Sequence, residues 1–121
     1  MTAPVHDRAI DEAAVQAVIR RTLDSLPLAD TVDNFIAALC WHTERLLAVV
    51  EAKGWAAHGQ GDLVAVIVDE VRKKLATHPE PGTVAAARAV YAQEVARTCR
   101  ALLALAVADE DAEHRHAAVA P

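Results

Sequence analysis

The sequence predicts an all-α protein folded as an antiparallel four-helix bundle, and three observations lead to this prediction. Apolar residues recur at helical spacing in four successive segments. Proline and glycine are few, and they cluster at the breaks between those segments. No stretch alternates apolar and polar residues between turn signals, as a half-buried strand would. Four amphipathic helices joined by short loops bury their apolar faces most simply as a bundle.

The first two helices are predicted on either side of a break at residues 26–31. The first runs from about Asp7 to Ser25, and the second runs from Thr31 or Asp33 to about Lys53. The predicted apolar face of the first helix comprises Ala14, Val15, Val18, Ile19, Thr22 and Leu26. That of the second comprises Val32, Phe35, Ile36, Leu39, Thr43, Leu46, Leu47 and Val50.

The last two helices each begin at a side chain that favours the N-cap position. The third runs from Asp62 to about Thr77, and the fourth runs from Thr83 to about Ala108. The predicted apolar face of the third helix comprises Leu63, Val64, Ile67, Val68, Val71 and Leu75. That of the fourth comprises Val84, Ala87, Tyr91, Val95, Thr98, Leu102 and Leu105.

Length and composition indicate one domain. A chain of 121 residues can bury a core without disulfides or metals. Residues 1–108 are predicted to form the bundle, and residues 109–121 a charged, flexible C-terminal tail. The apolar fraction is 54%, but only 3% of the residues are aromatic, and alanine dominates. Small side chains let helices approach closely, and this alanine- and valine-rich composition is typical of high-GC genomes.

Charge and hydropathy narrow the function classes. The net charge of −5 argues against nonspecific nucleic-acid binding, which requires a basic surface. No apolar run reaches the roughly 18 residues of a membrane span. The N-terminus is acidic and lacks the apolar core of a signal peptide, so we expect a cytoplasmic protein. In that compartment Cys40 and Cys99 are expected to be thiols.

Two segments resemble a known family: ALCWHTERLLAVVEA (38–52) and VRKKLATHPEPGTVAAARAVYAQEVARTCRALLALA (71–106). The shared positions are leucine, alanine and arginine at helical spacing, one histidine, one glutamate and a Pro/Gly link: Leu39, His42, Leu46, Leu47, Glu51, Arg72 to Leu75, Pro79, Pro81, Gly82, Ala87, Ala96, Arg97 and Leu102 to Leu105. The family consists of small actinobacterial proteins with a domain of unknown function, labelled as natural-product biosynthesis proteins. The resemblance covers about residues 32–106 and implies a genomic setting but no catalytic residue set. Cys40 and Trp41 depart from the family's usual residues.

Four polar side chains on or beside the apolar faces form a candidate ligand pocket, namely His42, Tyr91, Thr43 and Thr98. They would line a cavity in the bundle interior, although alanine-rich walls equally allow tight packing. Cys40 and His42 are two residues apart and therefore cannot face each other on a helix. A pair between His42 and Cys99 stays open, beside the alternative of a hydrogen-bonded histidine and small apolar cysteines.

Trp41, Ala48 and Trp55 recur at seven-residue spacing on the back of the second helix, away from its apolar face. Aromatic residues are enriched at protein interfaces, so this stripe predicts a surface for self-association or a partner. Two alternatives remain: the first helix or the loop at residues 53–62 covers the tryptophan, or its ring lies on the surface.

No catalytic, metal or cofactor motif emerges from the sequence. The single Glu-x-x-His, Glu113 to His116, lacks the second copy of a di-iron bundle. We therefore expect a non-catalytic accessory or interaction protein that forms a homodimer or binds a protein partner, and binds neither nucleic acid nor membrane. Two alternatives stay open. One is a small-molecule-binding protein or small enzyme using His42 and Tyr91, and the other is a partner of a transcriptional regulator.

Overall fold

The computed structural model describes residues 10–53, 55, 59–80 and 82–108, which contain four α-helices. These helices are α1 (Glu12–Asp24), α2 (Val32–Ala52), α3 (Gly61–Ala76) and α4 (Ala85–Val107). No strand occurs within the described ranges. The predicted all-α four-helix bundle is therefore confirmed. Residues 1–9 and the predicted tail at residues 109–121 lie outside the described residues.

The bundle is built around a central pair, α2 and α4, which share its most extensive helix–helix contact. The two helices run parallel. Asp33 and Arg88 approach to 3.7 Å at their N-terminal ends, and the Lys53 ammonium donates to the Leu105 and Ala108 carbonyls at their C-terminal ends. Helices α1 and α3 flank this pair, and each packs against both of its members. Successive helices are antiparallel, so the closest pair is a diagonal one.

The central position of α4 explains why its predicted apolar face was too narrow. Six further residues of this helix are buried: Ala89, Ala92, Ala96, Cys99, Leu103 and Ala106. Because α4 contacts all three other helices, its buried arc is wider than one stripe. The prediction was wrong at Val84, which is 69% exposed, and at Ala87. Val84 immediately precedes the helix and therefore does not share its face.

The flanking helices bury fewer residues. In α1 these are Val15, Ile19 and Thr22, and in α3 they are Val64, Val68 and Val71. Leu26 was predicted in the apolar face of the first helix, but it is exposed because α1 ends at Asp24. Leu63 was predicted in the apolar face of the third helix, but it is 61% exposed because it lies beside the face of α3 that Val64, Val68 and Val71 bury.

Side-chain caps at the helix starts follow the sequence signals only in part. Asp11 accepts a hydrogen bond from the Ala14 backbone N–H at 3.1 Å and so caps α1. Asp62 does not act as the predicted cap, because α3 begins one residue earlier. Thr83 precedes α4 by two residues, and its hydroxyl donates to the Glu80 carbonyl at 2.7 Å. The threonine therefore stabilises the loop before α4 instead of the first turn of the helix.

Candidate functional site

The middle of α2 presents its side chains in three different directions. Cys40 is half-buried and its thiol meets the Tyr91 hydroxyl, on the side of α3 and α4. His42 lines a small cavity together with Val15 of α1. Trp41 lies between these two sides and is 55% exposed. The prediction that these neighbouring side chains diverge is confirmed, and they cannot form one local reactive site.

Trp41 is the most exposed aromatic side chain among the described residues. The Arg45 guanidinium, one helical turn further on, lies 4.7 Å from the centre of the Trp41 ring. The His42 ring meets the indole edge-on at 5.0 Å. These contacts hold the indole against the outside of α2 without covering it. Neither α1 nor any other described segment provides the intramolecular cover that the sequence left open.

Small and exposed residues surround Trp41 on the outer face of α2. Ala37, Ala48 and Ala52 are all exposed, and they fall within about 40° of Trp41 at 100° per residue. We call these four residues, Trp41, Ala37, Ala48 and Ala52, the Trp41 surface. Alanine side chains leave room for a second helix to approach the backbone closely. The predicted interface position Ala48 therefore lies beside the exposed tryptophan.

A groove of about 510 Å³ between α2 and α3 borders the Trp41 surface. Its lining combines three ionisable side chains with four apolar ones, namely Glu44, Glu51, Arg72, Leu47, Ala48, Leu75 and Ala76. The Arg72 guanidinium donates to the Glu51 carboxylate at 2.5 Å and closes one end of the groove. Ala48 belongs to both features, so the exposed indole and this groove of mixed polarity form one continuous face.

Trp55 does not share this face, contrary to the prediction. It is only 5% exposed, and its indole N–H donates to the Val50 carbonyl at 2.7 Å. The helix ends at Ala52, and the chain then turns, so the seven-residue spacing from Ala48 no longer determines the direction of the side chain. The Val50 carbonyl also accepts a hydrogen bond from the backbone N–H of Lys53, the residue that caps the helix, at 3.2 Å. Trp55 therefore fills the core and adds a second donor at the end of α2.

His42 occupies the side of α2 that faces α1. The cavity beside it has a volume of only about 70 Å³, and Ile10, Asp11 and Val15 line it from the α1 side. Burial lowers the pKa of His42, the nearby Arg45 guanidinium lowers it further, and Asp11 partly opposes both effects. The neutral imidazole is therefore favoured. The cavity has room for about two water molecules at most, so it is too small for a metabolite.

Tyr91 lies on the opposite side of α2, where α3 meets α4. Its hydroxyl donates to the Lys74 carbonyl at 3.1 Å, and its ring contacts His78 at 5.5 Å. Burial raises the pKa of Tyr91 to about 12, with a further contribution from Cys40. Because Tyr91 and His42 lie on different sides of α2, they do not line a common cavity.

The two threonines of the predicted pocket differ in what surrounds them, and only Thr43 has an established local role. The Thr43 hydroxyl is buried and donates to the Leu39 carbonyl of its own helix at 2.6 Å, while Thr98 is half-buried. Burial raises the pKa of Cys99 to about 11, although a hydrogen bond with Thr43 lowers it. At neutral pH that thiol is protonated, which disfavours a nucleophilic pair with His42. The structure thus does not bring His42, Tyr91, Thr43 and Thr98 together.

Candidate metal-binding groups and membrane-spanning helices are absent from the described part of the chain. No group of three or more His, Cys, Asp or Glu side chains there could hold a metal ion. The Glu113 to His116 motif lies outside the described residues. Within the described ranges, no helix combines the length and hydropathy that a membrane crossing requires.

Comparison with known proteins gives one match. The model of DUF6415, described as a family of unknown function, matches residues 9–111. Neither a curated protein nor a solved structure matches the chain. The match extends over all four helices, so it includes both the central pair and the Trp41 surface.

Proposed function

The chain belongs to DUF6415, a family of unknown function, and we propose that it is a non-catalytic accessory protein that self-associates through the Trp41 surface. One observation carries this proposal: a 55%-exposed tryptophan in the middle of a 21-residue helix, continuous with a groove between α2 and α3. Large aromatic side chains contribute much of the binding energy at interfaces, whereas an exposed indole contributes little to the fold of a monomer.

The charges around the Trp41 surface suit contact between two identical chains. Glu44 and Arg45 are adjacent on the outside of α2, and both are exposed. In a two-fold dimer, a residue that contacts a second residue across the interface is contacted by that same residue in return. An acidic and a basic side chain on one helix can therefore pair reciprocally when two copies of α2 pack antiparallel. The alanines of the Trp41 surface permit a close helix–helix approach.

The genomic locus and the cellular location of the protein are a further part of the proposal. The resemblance of residues 32–106 to small actinobacterial proteins supports a role in an actinobacterial natural-product biosynthesis locus. His42 and Tyr91 lie on different sides of α2 and share no cavity, which supports an accessory role over the alternative of a small enzyme that uses these two residues. A cytoplasmic location is part of the same proposal.

The oligomeric state tests self-association directly. Light scattering after size-exclusion chromatography should give a dimer mass for the wild type and a monomer mass for Trp41→Glu. The substitution introduces a carboxylate where the indole would be buried, while the monomer keeps its fold because Trp41 does not belong to the core.

A matched control separates interface loss from a general effect of surface charge. Leu28 is 69% exposed and lies in the loop before α2, so Leu28→Glu should retain the dimer mass. A wild-type protein that stays monomeric at high micromolar concentration would refute self-association. A Trp41→Glu protein of unchanged dimer mass would show that the interface lies elsewhere.

A further inference from the structure

A second groove, of about 480 Å³, runs between α1 and α4 and has no role in the function proposed above. Five apolar side chains line it: Ile19, Leu23, Leu103, Ala104 and Val107. Ile19 and Leu103 belong to the core and are 4% and 5% exposed, so the floor is formed by the packed interior. The Gln93 side-chain amide donates to the Thr22 carbonyl at 3.2 Å and fixes the two helices against each other near one end.

The two walls of this groove each contribute one arginine. Arg20 extends from α1 and Arg100 extends from α4, and both side chains are exposed. Neither makes an ion pair in the described part of the chain. The acidic lining residues, Glu12 and Asp24, are the first and last residues of α1. The lining thus carries two positive and two negative charges above an apolar floor. Arg20 lies within the stretch of α1 that the two acids bound, one helical turn before Asp24.

We propose that this groove binds an anionic amphiphile, a small molecule with a carboxylate or phosphate head and an unbranched apolar chain. The head group lies between Arg20 and Arg100, because guanidinium groups recognise carboxylate and phosphate through charge-assisted hydrogen bonds. The chain lies on Leu103, Ala104 and Val107, toward the start of α1. From Arg20 back to Glu12 the helix extends about 12 Å at 1.5 Å per residue, enough for a medium-length acyl chain.

The two arginines favour an anionic amphiphile over neutral or cationic molecules of the same shape. A neutral molecule of the same shape would gain the apolar contacts but leave both guanidinium groups without a counter-charge. A cationic amphiphile would meet two like charges at the position of its head group. The groove is formed by α1 and α4 alone and does not include the Trp41 surface. Ligand binding and self-association are therefore separable properties.

Isothermal titration calorimetry on the full chain tests the proposal. The titrants are decanoate and decyl phosphate, each kept below its micelle-forming concentration. Binding of at least one anion is expected, and the tighter of the two identifies the head group as carboxylate or phosphate. Decanol and decyltrimethylammonium should bind at least about tenfold more weakly, because they lack the charge-assisted hydrogen bonds.

Variants at exposed positions locate the ligand without disturbing the core. Arg20→Gln and Arg100→Gln should each weaken anion binding about tenfold or more. Arg97→Gln is the matched control, since Arg97 is exposed on the same helix and does not line the groove. Ala104→Phe should abolish binding by filling the groove from an exposed position. Circular dichroism verifies that every variant retains the helical content of the wild type.

The proposal is overturned if neither anion binds, if decanol binds as tightly as decanoate, or if the Arg20 and Arg100 variants keep wild-type affinity. An equal loss in Arg97→Gln would also overturn it, because the effect would then reflect general charge. Trp41→Glu should bind the anion as the wild type does, so failure of self-association and failure of ligand binding are distinguishable.

Discussion

The two flanking helices pack against the same central pair in different ways. Helix α1 makes the more extensive contacts, and its Thr22 carbonyl accepts a hydrogen bond from Gln93 of α4. Helix α3 makes fewer contacts and buries only valines. It is held in addition by polar bridges, such as that between Arg72 and Glu51 and the hydrogen bond from Tyr91 to the Lys74 carbonyl. Exposed ion pairs contribute little to stability, so α3 is expected to be the less stable flank.

The largest expected effect concerns the two tryptophans. Trp55→Ala should lower the free energy of unfolding by about 3–5 kcal/mol, because it removes a buried indole next to α3 and its hydrogen bond to Val50. Trp41→Ala should change the monomer by no more than about 0.5 kcal/mol. Urea unfolding followed by circular dichroism, at a concentration where the protein is monomeric, measures both. Equal losses in the two variants would contradict the placement of Trp55 in the core.

An identical deletion on each flank tests the difference between α1 and α3 directly. Val15 and Val68 are 2% and 4% exposed, so Val15→Ala and Val68→Ala remove the same atoms from equally buried sites. We expect losses of about 2 kcal/mol at Val15 and about 1 kcal/mol at Val68, because a loosely packed helix relaxes into the cavity more readily. Urea unfolding gives both values. A larger loss at Val68 would reverse the comparison of the flanks.

The α3 flank should respond to alkaline pH through Tyr91. Burial raises the pKa of its hydroxyl to about 12, above the value near 10 of an unfolded tyrosine. The folded state therefore retains a proton that the unfolded state loses, and stability falls as the pH rises from about 10 toward 12. Tyr91→Phe should flatten this dependence between pH 9 and pH 11 in urea unfolding. An unchanged slope in the variant would show that other groups cause it.

The smallest expected effect is on the α1 flank, where the protonation of His42 should lower the stability of the protein in acid. Burial and Arg45 lower the pKa of the imidazole below its ordinary value of 6.5, so the folded state binds the proton less well than the unfolded state. The contribution of His42 to the free energy of unfolding is therefore complete above pH 6.5 and is lost as the pH falls below 6.5. Urea unfolding at pH 7.5 and 5.5 should show a smaller difference in His42→Asn than in the wild type. His78→Gln, at an exposed site beside Tyr91, should retain the wild-type difference.

The sequence was most informative where a helix is long and regular. All eight residues predicted for the apolar face of α2 are buried or half-buried, because large apolar residues recur there at helical spacing, broken only by Thr43. The same regularity placed Trp41 on the outside of the helix. In α4 the prediction missed Ala92 and Ala96, since an alanine in a contact and an alanine on the surface are indistinguishable in sequence.

The features that the sequence could not provide depend on contacts between elements. The direction of Trp55 is determined by the turn after α2 and not by helical spacing. Arg20 and Arg100 lie 80 residues apart, and each by itself is an ordinary exposed arginine. Only the packing of α1 against α4 places them in one groove. Helical periodicity identifies the face that each helix buries, but it does not specify which helix covers that face.

The position of Lys53 has an electrostatic consequence for the central pair. Parallel helices align their macrodipoles, so the partial negative charges at the ends of α2 and α4 lie side by side and repel each other. Lys53 immediately follows α2, and its ammonium donates to two carbonyls at the end of α4. The single charge of Lys53 thus offsets the partial negative charge at the ends of both helices. It reduces the repulsion between α2 and α4, the two helices that make the most extensive contact in the bundle.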